Sequence, residues 1–427
     1  MDISLNDTRL ARAAAVLVYL SSYLFFTSVS ALFYDDNCGF YLIIISFILI
    51  TANEIVIRIN RGNEAARLTA EDIVWYSAMM ICSIYSFGLS YADGKSFSGN
   101  VIFNNYCLYN IFFYAVVQRG GRLLAGKTSG YILLDIFNSR LILPFSHFID
   151  IIRDIRSKEG KRSRGSTAIG ILALCAVIPI FISAVYFLGD MDKDFKHFIF
   201  SYLDIDTIAS TVIKLVFAVP VTFYVYGLFS GSDLCIGEEQ KRRYSDVIGF
   251  IDRLRAAPMF ISIVILSVFD ALYIIFGVFR ARYYFTAFTG KVLEGFSYSG
   301  YAREGFFELC AIMALNILVV AVIRIFAIGE DFTSKPVKLL MGLLMSESVF
   351  FAVSSLSKII LYFNRYGFTP KRVLSMWAVT VFIYATAEAL LYVFKKLGNP
   401  VRRWLNYTLV SYLAAMGYIC CCTVFCA

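Results

Sequence analysis

Met259-Phe-Ile-Ser-Ile-Val-Ile-Leu-Ser-Val-Phe-Asp270-Ala-Leu-Tyr-Ile-Ile-Phe-Gly-Val-Phe279 is an unbroken apolar run with one charge, Asp270, near its middle. A helix needs about 20 mostly apolar residues to cross the hydrocarbon of a bilayer. This run has that length and none of the alternation of a membrane β-strand, so it reads as a transmembrane helix. Ten further segments read the same way. The full set is 10–33, 39–58, 72–92, 100–118, 166–189, 207–229, 257–279, 305–328, 337–362, 373–394 and 403–426. Asn104, Asn105 and Asn110 dilute the fourth. The expected fold is therefore an all-α polytopic bundle of about eleven spans.

The bulk numbers agree. Across 427 residues, 59% are hydrophobic, 17% aromatic and only 16% charged. A soluble domain carries roughly 25% charged residues, and the same comparison excludes disorder, collagen, coiled coil and a disulfide-stapled scaffold. The net charge of +8 fits basic loops facing anionic lipid better than nucleic-acid binding. Cys82, Cys107, Cys175 and Cys310 lie in apolar runs, and Cys420, Cys421, Cys422 and Cys426 close the last one. With no CxxC pair and only His147 and His197 as histidines, no metal or other cofactor is expected. The first apolar run reads as an uncleaved span and not a signal peptide.

Basic residues set the expected orientation. Arg9 and Arg12 precede the first span, Arg58, Arg61 and Arg67 follow the second, and ten lysines and arginines lie between Arg119 and Arg164. An inside N-terminus and an outside C-terminus satisfy nearly all of this. The exceptions are Arg280, Arg282, Lys291, Arg303, Arg365, Lys371 and Arg372, which fall on the outer side. Three parts follow: a four-span segment (1–118), a cytoplasmic amphipathic and basic segment (119–165), and a seven-span segment (166–427). Within the second, 145–164 combines apolar residues near helical spacing with a polybasic tail. That suits lipid contact or the docking of a membrane or cytoplasmic protein partner. Glu238–Arg255 reads similarly.

Charges inside a membrane are expensive and usually face a bundle interior or a wet cavity. Lys214, Asp270, Glu347 and Lys358 are such residues; Lys358, Arg324 and Glu388 lie nearer span ends and could snorkel. Equal depths allow a Lys214–Asp270 pair. These charges either line an ion, proton or substrate path or fix helix packing. The outer loop 280–304 adds Arg280, Arg282 and Arg303, whose donor forks suit phosphate or carboxylate. Among them lie Tyr301 and other aromatics of interfacial type. Gly290, Gly295 and Gly300 permit turns there, and Glu308 or Glu294 could act as a general base. The plain alternative is an aromatic belt with Arg303 paired to Glu308.

The run Tyr301-Ala-Arg303-Glu-Gly305-Phe306-Phe307-Glu308-Leu309 precedes a second, Tyr362-Phe-Asn-Arg-Tyr366-Gly367-Phe-Thr369-Pro-Lys-Arg372. Together they resemble the bacterial polytopic membrane proteins grouped as the domain of unknown function numbered 4153, with its relative 4173. Phe368 stands where that pattern usually has leucine. The resemblance covers 257–427, implies the bacterial cytoplasmic membrane, and brings no established activity. It implies that Arg303, Glu308, Tyr366 and Arg372 lie near one another. The expected function is a transporter-like or sensory and accessory role that recognises an anionic or lipid-like ligand at the outer face. The alternative is an enzyme acting on a lipid-linked polyprenyl phosphate there.

Overall fold

Lipid offers no water to backbone polar groups, so a spanning chain closes its hydrogen bonds within helices. The computed structural model describes residues 5–34, 38–65, 67–93, 98–155, 205–233, 238–327, 334–395 and 398–425. Among these the regular structure is helical, with one isolated bridge between Ala257 and Ala327. Eight helical stretches are long and apolar enough to cross a membrane: Arg9–Ser30, Gly39–Arg61, Ala70–Ala92, Ser210–Ser232, Met259–Phe279, Lys335–Tyr366, Pro370–Lys395 and Pro400–Val424. The protein is a multi-pass, all-α membrane protein. Two more helices, Gly99–Arg119 and Tyr298–Phe326, occupy the expected fourth and eighth positions. The expected fifth span, 166–189, lies outside the described residues, as does the polybasic tail 156–164.

The chain divides into two compact units. One comprises Met1–Lys127, Tyr131–Ile236 and Thr423–Ala427; the other comprises Thr128–Gly130 and Gly237–Cys422.

In the first unit, α1 (Leu5–Tyr34), α2 (Cys38–Ala65), α3 (Ala70–Asp93) and α4 (Gly99–Arg119) pack in succession. Three short α-helices follow, α5 (Ile132–Phe137), α6 (Leu143–Ser146) and α7 (Asp150–Ile155), the first two joined by a π-helical turn at Asn138–Ile142. Then comes α8 (Ile205–Ser232), which lies against α1. The asparagines that dilute α4 bond outward from it. Buried Asn104 donates to the Cys82 carbonyl and to Ser86 Oγ, both at 2.7 Å. Asn110 accepts from Arg140 at 2.5 Å. Polar side chains of this kind join membrane helices where apolar burial alone gives no preference. The amphipathic stretch expected over 145–155 is broken at His147, whose ring pairs with Asp150 at 2.8 Å. Both its halves face α8, the first through Phe145 against Tyr224 and the second through Ser230 to Asp150 and Tyr226 to Asp154.

In the second unit, α9 (Glu238–Leu254) precedes α10 (Met259–Phe279), α11 (Ala281–Thr286) and α12 (Tyr298–Phe326). After these come α13 (Lys335–Tyr366), α14 (Pro370–Lys395) and α15 (Pro400–Phe425). The long α13 is the axis, packed against α10, α12 and α14. Its Leu344 and Phe351 share one buried core with Leu266, Met313 and Val379 of those helices. Pro336 opens it at a position where a missing N–H costs nothing. Gly367 closes it with φ of 74°, a left-handed value that a side chain would strain. α14 and α15 are joined by the stacked rings of Tyr384 and Tyr407, 4.0 Å between centroids. Glu388 does not snorkel: it accepts from both Nε and Nη2 of Arg403, at 2.8 and 2.6 Å.

Candidate functional site

The motif Tyr301–Leu309 begins α12, which Ser297 caps by accepting from the Gly300 N–H at 3.0 Å. Gly300 is therefore helical, while Gly290 and Gly295 make the left-handed turns of the loop. Helical spacing puts Tyr301, Glu304, Gly305 and Glu308 on one face at i, i+3, i+4 and i+7. Arg303 falls on another face and is exposed.

What that face meets is Lys358 of α13, only 1% exposed. Its Nζ lies 3.3 Å from the centre of the Tyr283 ring and 4.8 Å from those of Tyr284 and Tyr301. Cation–π attraction of this kind strengthens when water is excluded. The Tyr301 hydroxyl donates to the Tyr283 carbonyl and fastens the start of α12 to α11. Gly305 makes the approach possible, because a Cβ there would sit 2.7 Å from Lys358 Cδ.

Arg280, at the end of α10, lies 4.5 Å over the Tyr283 ring. It pairs with Glu308 and reaches Glu304 at 3.2 Å. Arg280 thus takes one oxygen of each carboxylate, Glu308 keeps its other oxygen buried without a partner, and Lys358 is paired with neither. Among the described residues its Nζ finds no hydrogen-bond acceptor, and neither do the buried hydroxyls of Tyr283 and Tyr284. Burial pushes the Tyr284 phenol up to about 12, partly offset by Arg280. Burial raises Tyr283 further. Both therefore stay neutral donors at any physiological pH.

The family model described as Domain of unknown function (DUF4153) matches residues 17–425. The chain belongs to the DUF4153 family. The match runs through both units and so extends well beyond 257–427, where the two motifs suggested it. No functionally curated protein and no solved structure matches this DUF4153 chain.

The remaining candidate residues of this DUF4153 protein fall into separate places. Arg282 and Glu294 face each other at 4.0 Å with side chains 80% and 96% exposed. Arg372 lies over the rings of Tyr362 at 4.1 Å and Tyr366 at 5.6 Å, and donates to the Gly367 carbonyl at 2.6 Å. Tyr298, just before the first motif, touches Tyr366 of the second at 6.3 Å between centroids. Glu308 takes Arg280 and not Arg303, since residues five apart in a helix lie on different faces. Lys358 does not snorkel but is enclosed by the rings. Asp270 and Glu347 lie mid-helix in α10 and α13, whereas Lys214 is half-buried on α8 of the first unit.

Sequence reasoning missed Tyr283, Tyr284 and Gly305 as members of the site. The Tyr-Tyr pair read as an interfacial belt, and nothing local says that a lysine 74 positions on arrives over it. In the first unit it missed Glu54 and Arg119. Arg119 grips Glu54 through two bonds of 2.8 and 2.9 Å and lies 3.5 Å from Asp72. A glutamate inside the second apolar run was the available signal.

Proposed function

We propose that this DUF4153 protein is a transporter-like or sensory membrane protein that recognises an anionic, lipid-like group at the Lys358 cluster. The observation that carries this reading is the surplus of donors. A buried ammonium and two buried phenols have no acceptor among the described residues, and groups of that kind are costly to leave unmade. A carboxylate or phosphate is the complement to such a set. The setting favours a ligand presented from lipid. Phe279, Phe285, Phe288 and Phe307 are exposed around the same end of the helices, as rings at a membrane interface are. The basic-loop reading of the sequence assigns that end to the outer face.

Native mass spectrometry of the full-length protein tests this, with phosphatidylglycerol against phosphatidylcholine as probes. The anionic lipid is expected to be retained preferentially, and Lys358→Gln to weaken it about tenfold, the value of one charged hydrogen bond. Displacement by inorganic phosphate would identify the headgroup as the recognised part. Equal retention of both lipids by both proteins overturns the reading.

A further inference from the structure

We infer that Asp270 and Glu347 form a proton-binding site at the centre of the second unit, holding one exchangeable proton between two buried carboxyl groups. Asp270 stands about 16 Å along α10 from Met259 and about 13 Å from Phe279, at 1.5 Å per residue. It is 2% exposed, and neither carboxyl oxygen finds a hydrogen-bond partner among the described residues. Both oxygens of Glu347 are equally buried and unpartnered. Asp270 lies one turn before Tyr273 on α10 and Glu347 one turn before Phe351 on α13, and the Tyr273 and Phe351 rings meet at 5.9 Å between centroids, which brings the two carboxyl groups to the same stretch of two packed helices. Like charges placed close together in a poor dielectric do not both ionise, so at least one carboxyl keeps its proton.

Among the described residues neither carboxyl has a lysine or arginine as an ion-pair or hydrogen-bond partner. On α10 the nearest titratable group is Tyr273, whose hydroxyl donates to Asn316 of α12 at 2.7 Å. Asn316 in turn donates to Ser348 at 2.6 Å, so these polar atoms are already engaged. Between Leu309 and Ile323, α12 offers only Cys310 as a titratable side chain; between Val379 and Glu388, α14 offers Tyr384, stacked on Tyr407, and Glu388, paired with Arg403, its other titratable groups lying nearer its ends. On α13 itself, Lys338 and Lys358 lie nine residues before and eleven after Glu347, the latter about 16 Å away along the helix.

The site has an approach. A cavity of about 310 Å³ is lined by Tyr273, Gly277, Ser346, Glu347 and Phe350, and gives Glu347 a way to exchange its proton. The donor set selects a proton over a metal ion. Calcium takes six to eight oxygens and magnesium needs octahedral geometry, whereas the cavity walls are chiefly aromatic and aliphatic. The function that follows is proton uptake and release inside the membrane, the use to which buried carboxyls in spanning helices are commonly put.

Dicyclohexylcarbodiimide, which reacts with protonated carboxyls in apolar surroundings, tests this on the purified full-length protein. Peptide mass mapping would locate the adduct. One equivalent is expected on Glu347 or Asp270, falling away as pH rises. Glu308 and Glu388 should stay unlabelled, since each is ion-paired with an arginine. In Asp270→Asn the like charge is gone, so labelling of Glu347 should vanish at a lower pH, by about tenfold in proton concentration. Glu347→Gln makes the same reading on Asp270, and the double variant should not label at either position. Unlabelled carboxyls in the wild type, or a midpoint that neither single variant moves, overturn the proposal. Protection by sodium chloride at fixed pH overturns it in favour of a metal-cation site. The labelling reads only these carboxyls, so its failure leaves the anion reading of Lys358 standing.

Discussion

The two units differ in how they treat their most deeply buried charges, although the second also holds the pairs Arg280–Glu308 and Arg403–Glu388. In the first, buried charges come with partners: Arg119 with Glu54 and Asp72, and Arg61 with Asp233 at 2.5 Å. In the second, Asp270, Glu347 and Lys358 are buried and have no hydrogen-bond partner among the described residues. A matched pair in a poor dielectric fixes geometry, since the alternative is an uncompensated charge. An unmatched group is a standing cost that a structural role alone does not explain, and intramembrane ionisable residues are functional candidates for that reason. On the proposals made above, the first set holds the scaffold and the second serves ligand or proton chemistry.

The sharpest way to break that assignment is to remove one partner from each side. Arg119→Met strands Glu54 and Asp72 and is expected to cost about 3–5 kcal/mol, the usual penalty for a broken buried pair. It should appear as a lower thermal midpoint of the purified protein. Adding Glu54→Gln should recover much of the loss. If Arg119→Met melts like the wild type, the pairing is not what holds these helices.

The first unit contains one group that tests the comparison from inside. Asp135 on α5 accepts from the Leu124 N–H at 2.7 Å through one oxygen, while the other is buried without a partner. Burial lifts its carboxyl from 3.8 to about 6. Between those values the folded chain holds a proton that the unfolded chain has released. Stability therefore rises as pH falls through about 6 toward 4, and is lost as pH rises again, by up to about 2–3 kcal/mol. Thermal unfolding between pH 4.5 and 7 should show that slope, and Asp135→Asn should flatten it. A wild-type slope of the opposite sign would mean Asp135 is ionised and compensated like its neighbours.

How much of this was legible follows from what lipid requires. A span needs length and apolarity within one stretch, so α10 and α13 were readable to within four residues at their ends. The stretch 100–118 was blurred because Asn104 bonds to α3, a tertiary fact. Tyr301, Gly305 and Glu308 had the spacing of one helical face, yet Arg303 drew attention because its charge suits an anion, and the helix turns it away. Lys358 was visible as a charge in an apolar run, but its enclosure depends on Tyr283 and Tyr284 from a different part of the chain. Local pattern identifies the residues that are expensive, and packing decides which of them are paired.

Lys358 offers the finest test of that distinction. Gly305→Ala would press a methyl group against Lys358 Cδ, and overpacking of this kind costs about 1–3 kcal/mol. A shorter side chain at 358 should relieve it, so Lys358→Ala in the Gly305→Ala background should cost less than the two changes summed. Lys358→Met points the other way. It removes an uncompensated buried charge, keeps the volume and leaves a thioether among three rings, so the thermal midpoint should hold or rise by the equivalent of about 1 kcal/mol. Retention of phosphatidylglycerol should fall in the same protein. Gain in stability with loss of binding is the signature of a group kept for function. A marked loss of stability would place Lys358 with Arg119 among the residues that hold the fold.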